Sequence, residues 1–191
     1  YHHVDPSENY AFDNSQFFII NNLSITSLLY QITALTQGWN IISLNVAVDD
    51  MTLLSDDGNF GIFSDLASDG NLVKVIDQTG ATLQYVPFLE GWQNYINEPT
   101  GDLINTEGYY VRTNTAGQLI VSGESMEFPF TIPLTMGWNI ISYPLSHAHA
   151  VESVLDPLMA TQILVKVIDE GGATMQYVPF LGGWQNYIGD F

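Results

Sequence analysis

Three groups of residues in this 191-residue chain have the types and spacing that chemistry needs. Gly91-Trp92-Gln93-Asn94-Tyr95 and Gly183-Trp184-Gln185-Asn186-Tyr187 each gather an indole, two amides and a phenol within five residues. Trp92, Tyr95, Trp184 and Tyr187 would give sugar rings flat apolar faces, and the amides beside them would bond the hydroxyls, so glycans are the ligand class they suit. Large aromatics also dominate core energetics, and packing within or between the two segments is the first reading of the same residues. The second group is acidic: Asp49, Asp50, Asp56, Asp57 and Asn59, with Asp65 and Asp69 further on. Calcium takes six to eight hard oxygen ligands, and this loop supplies several of them. The spacing of an EF-hand is absent, and a solvated acidic loop is the default reading.

The third group is basic. Lys74 and Lys166 are two of only 3 basic residues, each inside Val-Lys-Val-Ile-Asp. A salt bridge to a nearby carboxylate is expected of them rather than catalysis, since no nucleophile or cofactor motif accompanies them. His147 and His149, at i and i+2, would share one side of a strand, but zinc needs further ligands at suitable spacing. No Gly-Xaa-Ser-Xaa-Gly elbow, Walker loop, HExxH or paired-carboxylate signature occurs. The expectation is therefore a protein that is not an enzyme and has no cofactor, calcium in the acidic loop being the one cation to test.

Bulk composition narrows the partners. The 3 basic residues stand against 21 acidic ones for a net charge of −18, which disfavours nucleic acid and anionic membrane faces, both of which require clustered cations. A hydrophobic fraction of 46% with 13% aromatics excludes general disorder. With no cysteine there is neither a disulfide framework nor a thiolate metal site. No apolar run approaches the roughly 18 residues of a membrane span, and the chain opens without a secretory leader, as a processed or excised piece would.

These residues are carried by a repeat. Gly38-Trp39-Asn40-Ile41-Ile42-Ser43 returns unchanged as Gly137-Trp138-Asn139-Ile140-Ile141-Ser142, 99 residues later. Residues 72–96 return at 164–188 with 21 of 25 positions identical, now at an offset of 92. The seven-residue difference is assigned to a loop insertion around 56–70 in the first copy. Glu8-Asn9-Tyr10-Ala11-Phe12 lies 99 residues before Glu107-Gly108-Tyr109-Tyr110-Val111. The reading is two whole copies, 1–97 and 98–191, joined at Asn97–Gly101; the alternative phase puts one full copy at 38–136 between two halves.

Short runs of Ile, Val, Tyr, Phe and Thr between Gly, Asn and Asp turns are strand chemistry. Strands are expected at 17–20, 28–35, 39–45, 72–77, 82–88, 108–113, 118–122, 128–134, 138–143, 163–169 and 174–180. Thr36-Gln37-Gly38 and Asp77-Gln78-Thr79-Gly80, with their second-copy counterparts, read as hairpin turns in which Gly supplies positive φ. Apolar residues at helical spacing predict one short helix over Ala150–Met159, with Pro157 marking a break or a short element, and a fainter first-copy counterpart at Met51–Leu54. Trp39 and Trp138, each after a turn glycine, are expected in the core. The fold class is mainly β: two tandem homologous β-sandwich or barrel-like repeats with pseudo-twofold symmetry and at most one short helix per copy.

The combination GWNIIS, VKVID, YVPF-x-x-GWQ and EGYYV resembles a GWN-type β-rich tandem repeat of large secreted surface proteins, as in Bacteroidetes proteins exported by the type IX system and archaeal S-layer-related proteins. The resemblance covers nearly the whole chain and is structural, with no active site to transfer. It implies a non-catalytic structural or interaction module (adhesin, spacer or surface-layer type) located outside the cell or on its surface. Its partners would be neighbouring repeats or other copies of itself, with glycans as the alternative through Trp92, Tyr95, Trp184 and Tyr187.

Overall fold

The computed structural model describes residues 29–48, 51–53 and 61–189. These form eleven strands and two α-helices. In chain order they are β1 (Leu29–Leu35), β2 (Gly38–Ile42), β3 (Val46–Ala47), α1 (Ser64–Ser68), β4 (Leu72–Ile76), β5 (Thr82–Val86), β6 (Gly91–Asn94), β7 (Tyr109–Thr113), β8 (Gly117–Ser125), α2 (Val151–Ala160), β9 (Lys166–Ile168), β10 (Thr174–Val178) and β11 (Gly183–Asn186). The chain is mainly β, as its composition and turn spacing predict, and every strand pair is antiparallel.

The largest sheet has the order β2-β7-β4-β5-β6. Its residues alternate: Tyr109, Val111 and Thr113 of β7 are buried, while Tyr110 and Arg112 between them are exposed. Such period-2 patterning fixes which face meets the core. On the inner face lie Asn40 and Ile42 of β2, Val75 of β4 and Leu83 of β5, all buried. A second sheet, β1-β8-β3, contributes Leu35, Val46, Leu119 and Val121 to the same core. The segment 109–125 therefore supplies one strand to each of these sheets, both of which otherwise use residues before 97.

The third sheet, β11-β10-β9, repeats the β4–β5–β6 meander. Tyr85 pairs with Trp92 and Leu83 with Asn94 in the first; Tyr177 pairs with Trp184 and Met175 with Asn186 in the second. Both meanders turn through a 3-10 segment, Pro87–Leu89 and Pro179–Leu181. The third sheet packs on α2 around Val151, Leu155 and Met175, a small core separate from the first.

Four local expectations are corrected. The helix over 150–159 forms as α2, but it runs through Pro157, whose carbonyl still accepts bonds from the Thr161 N–H and Oγ1. Its first-copy counterpart is α1, not Met51–Leu54, where Thr52 instead bridges Asp102. At an offset of 92, Ile62-Phe63 and Leu66-Ala67 match Val154-Leu155 and Leu158-Met159. Residues 61–70 thus hold the helix α1, Ser64–Ser68, with Phe63 and Leu66 buried, and this match in sequence puts the seven extra residues upstream, between Ser43 and Gly61.

The strands expected at 128–134 and 138–143 are absent, beyond a single bridge from Ile141 to Glu107. A strand exists by pairing, and no described segment lies beside these as β7 and β8 lie beside β2 and β1. The expected strand at 17–20 is outside the described residues.

Candidate functional site

The outer face of the five-stranded sheet is built from one turn. Gly38 has φ 101°, which an L side chain rarely adopts. Just beyond it, the Asn40 side chain closes the loop. Its Oδ1 accepts from the Thr36 N–H at 2.7 Å, and its Nδ2 donates to the Thr36 carbonyl at 3.0 Å and across the sheet to the Val111 carbonyl at 3.3 Å. From β7 the Thr113 hydroxyl donates to the Thr36 carbonyl at 2.7 Å.

Because Asn40 must point inward to do this, alternation turns Trp39 outward. It is 48% exposed, and Trp138 is 71% exposed. The expectation of two core tryptophans is thereby overturned.

Trp39 meets the edge of Tyr110, with ring centroids 6.3 Å apart and planes at 81°. The Arg112 guanidinium stands 5.8 Å from the indole centroid, within reach of a cation–π attraction. Trp39, Tyr110 and Ile76 line a shallow open depression. Lys74 lies in register between Gln84 and Arg112, so the expected carboxylate partner is not what faces it across the strands. Two of the chain's 3 basic residues thus share one face of a protein of net charge −18. The patch can stack a flat ring and bond hydroxyl or acidic groups. Its signal in the sequence was the alternation of Tyr110 and Arg112 with buried Tyr109, Val111 and Thr113.

The two Gly-Trp-Gln-Asn-Tyr segments form β6 and β11 and their exits. Trp92 packs partly buried against the main core and meets Tyr85 edge-on at 5.9 Å. Trp184 does the same against the second core, with Tyr177 at 6.0 Å. Tyr95 is 49% exposed and Tyr187 is 70% exposed. Their backbones continue the ladder, Tyr95 N–H to the Thr82 carbonyl and Tyr187 N–H to the Thr174 carbonyl. Three residues of alternation then direct Trp92 and Tyr95, or Trp184 and Tyr187, toward opposite faces. A stacking surface on either meander would pair the tryptophan with Tyr85 or Tyr177 instead.

Asp49, Asp50, Asp56, Asp57 and Asn59, the candidate calcium ligands, lie outside the described residues. Among the described residues no group of three or more His, Asp or Glu side chains could hold a metal ion. His147 lies in a bend and His149 just after it, neither in a strand. The His149 Nδ1 bonds the Tyr143 hydroxyl at 2.8 Å, and the His147 Nδ1 bonds the Ser146 hydroxyl at 2.6 Å. Local knots of this kind occupy one nitrogen of each ring.

One buried group is strongly perturbed. Tyr109 is 1% exposed; its hydroxyl accepts the Ile104 N–H at 2.7 Å and lies 3.5 Å from the Glu107 carboxylate, to which it donates. Burial pushes its pKa well above the ordinary phenol range; the Ile104 N–H opposes that shift and the Glu107 charge adds to it. It pins the 104–107 connection, from which Gly108 N–H reaches the Ile140 carbonyl at 2.9 Å. No helix among the described residues is long and apolar enough to cross a membrane. The chain matches no protein-family model, no curated protein and no solved structure, so the chemistry of its surface is read from its own geometry.

Proposed function

We propose that this chain is a non-catalytic structural and interaction module of an extracellular surface or filament-forming protein, made of two homologous β-rich repeats related by pseudo-twofold symmetry. The observation that carries the reading is the position of β7. A strand from the opening of the second repeat, Tyr109–Thr113, lies between β2 and β4 of the first. Repeats that share strands gain stability from their neighbours and build length, which is how extended arrays work. The resemblance to GWN-type surface repeats supports the same conclusion. The test is protease shaving of intact cells that express the protein. Release of its peptides without lysis is the expected result, and recovery solely from the lysed interior would overturn it.

A second reading is carbohydrate binding, and the patch of Trp39, Tyr110 and Arg112 favours it. Addition of acidic or neutral oligosaccharides would then shift the tryptophan emission and protect it from acrylamide, in the wild type and not in Trp39→Ala. Unchanged emission across a glycan panel would remove this reading.

A further inference from the structure

The second repeat carries the residues that hold β7 in the first, without a strand in that position. Asn139 makes the same turn bonds as Asn40, to the Thr135 N–H at 2.8 Å and the Thr135 carbonyl at 2.9 Å, but not the cross-strand bond that Asn40 gives Val111. β9 pairs with β10 on one edge, and among the described residues no strand pairs with the other. Identical residues differ in burial accordingly. Leu35 is 3% exposed and Leu134 44%; Val75 is fully buried and Val167 half-buried; Val165 and Ile168 are 81% and 43% exposed, where Val73 and Ile76 are half-buried.

The first repeat also states what such an edge accepts: a strand with inward Tyr, Val and Thr at alternate positions. The offset of 99 that relates the repeats puts Tyr10 where Tyr109 is, Phe12 where Val111 is and Asn14 where Thr113 is. Asn14 carries a side-chain donor for the Thr135 carbonyl, as Thr113 does for Thr36. Charge supplies a second, independent argument. Arg112 lies opposite Lys74 in register, a like-charged pair of the kind that weakens sheets. The same offsets set Asp13 opposite Lys166, an attractive pair.

We propose that the open edge of β9 is an acceptor for the segment 8–14 of a second copy of this chain, so that molecules join head to tail by strand addition. The proposal rests on the strand-sharing reading above. The pair β7–β8 completes the repeat that precedes it in sequence. By the same rule the segment 8–14, which matches β7 at the offset of 99, is a segment that the open edge of β9 can accept. A head-to-tail contact of this sort is heterologous and propagates unless its rotation closes a ring.

The test is the light-scattering mass of the full chain against concentration, for the wild type, Asp13→Lys, Lys166→Asp and the double variant. Mass is expected to grow with concentration in the wild type. Each single variant should raise the concentration of half-association roughly fivefold, and the double variant should restore it, since a charge swap across one register position costs and returns about 1 kcal/mol. A synthetic peptide of residues 8–22 should cap the growth. Association that ignores both single variants would overturn the register, and a monomer at every concentration that also ignores the peptide would overturn the second copy as occupant in favour of the chain's own segment. Neither result touches cell-surface exposure, which the shaving experiment reads separately.

Discussion

At the scale of single residues, Tyr109 ties the largest sheet to the connection that leads into it. Its hydroxyl satisfies the Ile104 N–H and borders Glu107, whose other oxygen accepts from the Gln78 amide at 2.8 Å. A phenol buried in this way stays protonated in the folded chain after the unfolded chain has begun to ionise near pH 10. Below that pH both states hold the proton, and the group adds no pH dependence. Above it the unfolded state binds fewer protons, so stability falls as pH rises, by about 1.4 kcal/mol per unit from this one group, until the folded phenol itself titrates. Tyr109→Phe removes that slope and costs about 1–2 kcal/mol at neutral pH through the Ile104 N–H it strands. Denaturant melts of both proteins between pH 9 and 11 would check this. Parallel stability curves for the two would show that Tyr109 is not the group responsible.

Among the elements, the Asn-closed turn occurs twice with the same local bonds in two settings. Asn40 is 5% exposed and bonds across to β7; Asn139 is half-buried and does not. Asn40→Ala leaves the Val111 carbonyl without its side-chain partner inside the core and removes the turn bonds to Thr36, and should cost about 2–3 kcal/mol. Asn139→Ala frees groups that water can reach and should cost about 1 kcal/mol or less. Equal losses in urea melts would mean that the strand beside the turn contributes nothing to it. The same comparison explains what the sequence made legible. The hairpin turns Asp77–Gly80 and Asp169–Gly172 and the helix at 151–160 are local, written in Gly, Asp and apolar spacing, and they form. Thr36–Gly38, read as a hairpin turn, instead carries the chain from one sheet to another, since β1 pairs with β8 and β2 with β7, and no described strand flanks Thr135–Gly137. The outward turn of Trp39 was hidden because the ring's size argues for burial while its position is dictated by the neighbouring amide. The loss of strands at 128–143 was hidden because strand chemistry specifies a willingness to pair and says nothing about whether a partner is beside it. For the glycan candidates, Gly-Trp-Gln-Asn-Tyr gave the residue types, but the face each ring takes depends on a ladder that the motif alone does not define. The acidic calcium candidates were legible as hard oxygen ligands alone.

For the whole molecule, the two hydrophobic clusters predict unequal stability along one chain. The first unites Phe63, Leu83, Val111 and Leu119 with twelve further buried residues drawn from two sheets, α1 and the connections between them. The second has Val151, Leu155 and Met175, with Trp184 and others partly buried around them. Apolar burial contributes roughly 25 cal/mol per Å², so the smaller core holds its sheet by much the smaller margin. Cooperative units of different stability open separately. Hydrogen exchange followed along the chain should therefore show the β9–β11 amides exchanging through a lower-energy opening than those of β4, β7 and β8. Phe63→Ala, a cavity substitution worth about 3–5 kcal/mol, should lower protection in the first group; Met175→Ala should lower it in β9–β11 and leave β7 unchanged. If association proceeds by strand addition at β9, raising the protein concentration must slow exchange in β9 before it affects any strand of the first core, because a ligand that binds the closed form stabilises the unit it joins. Uniform protection across both clusters, insensitive to concentration, would mean that the chain unfolds as one body and that the edge of β9 is not where copies meet.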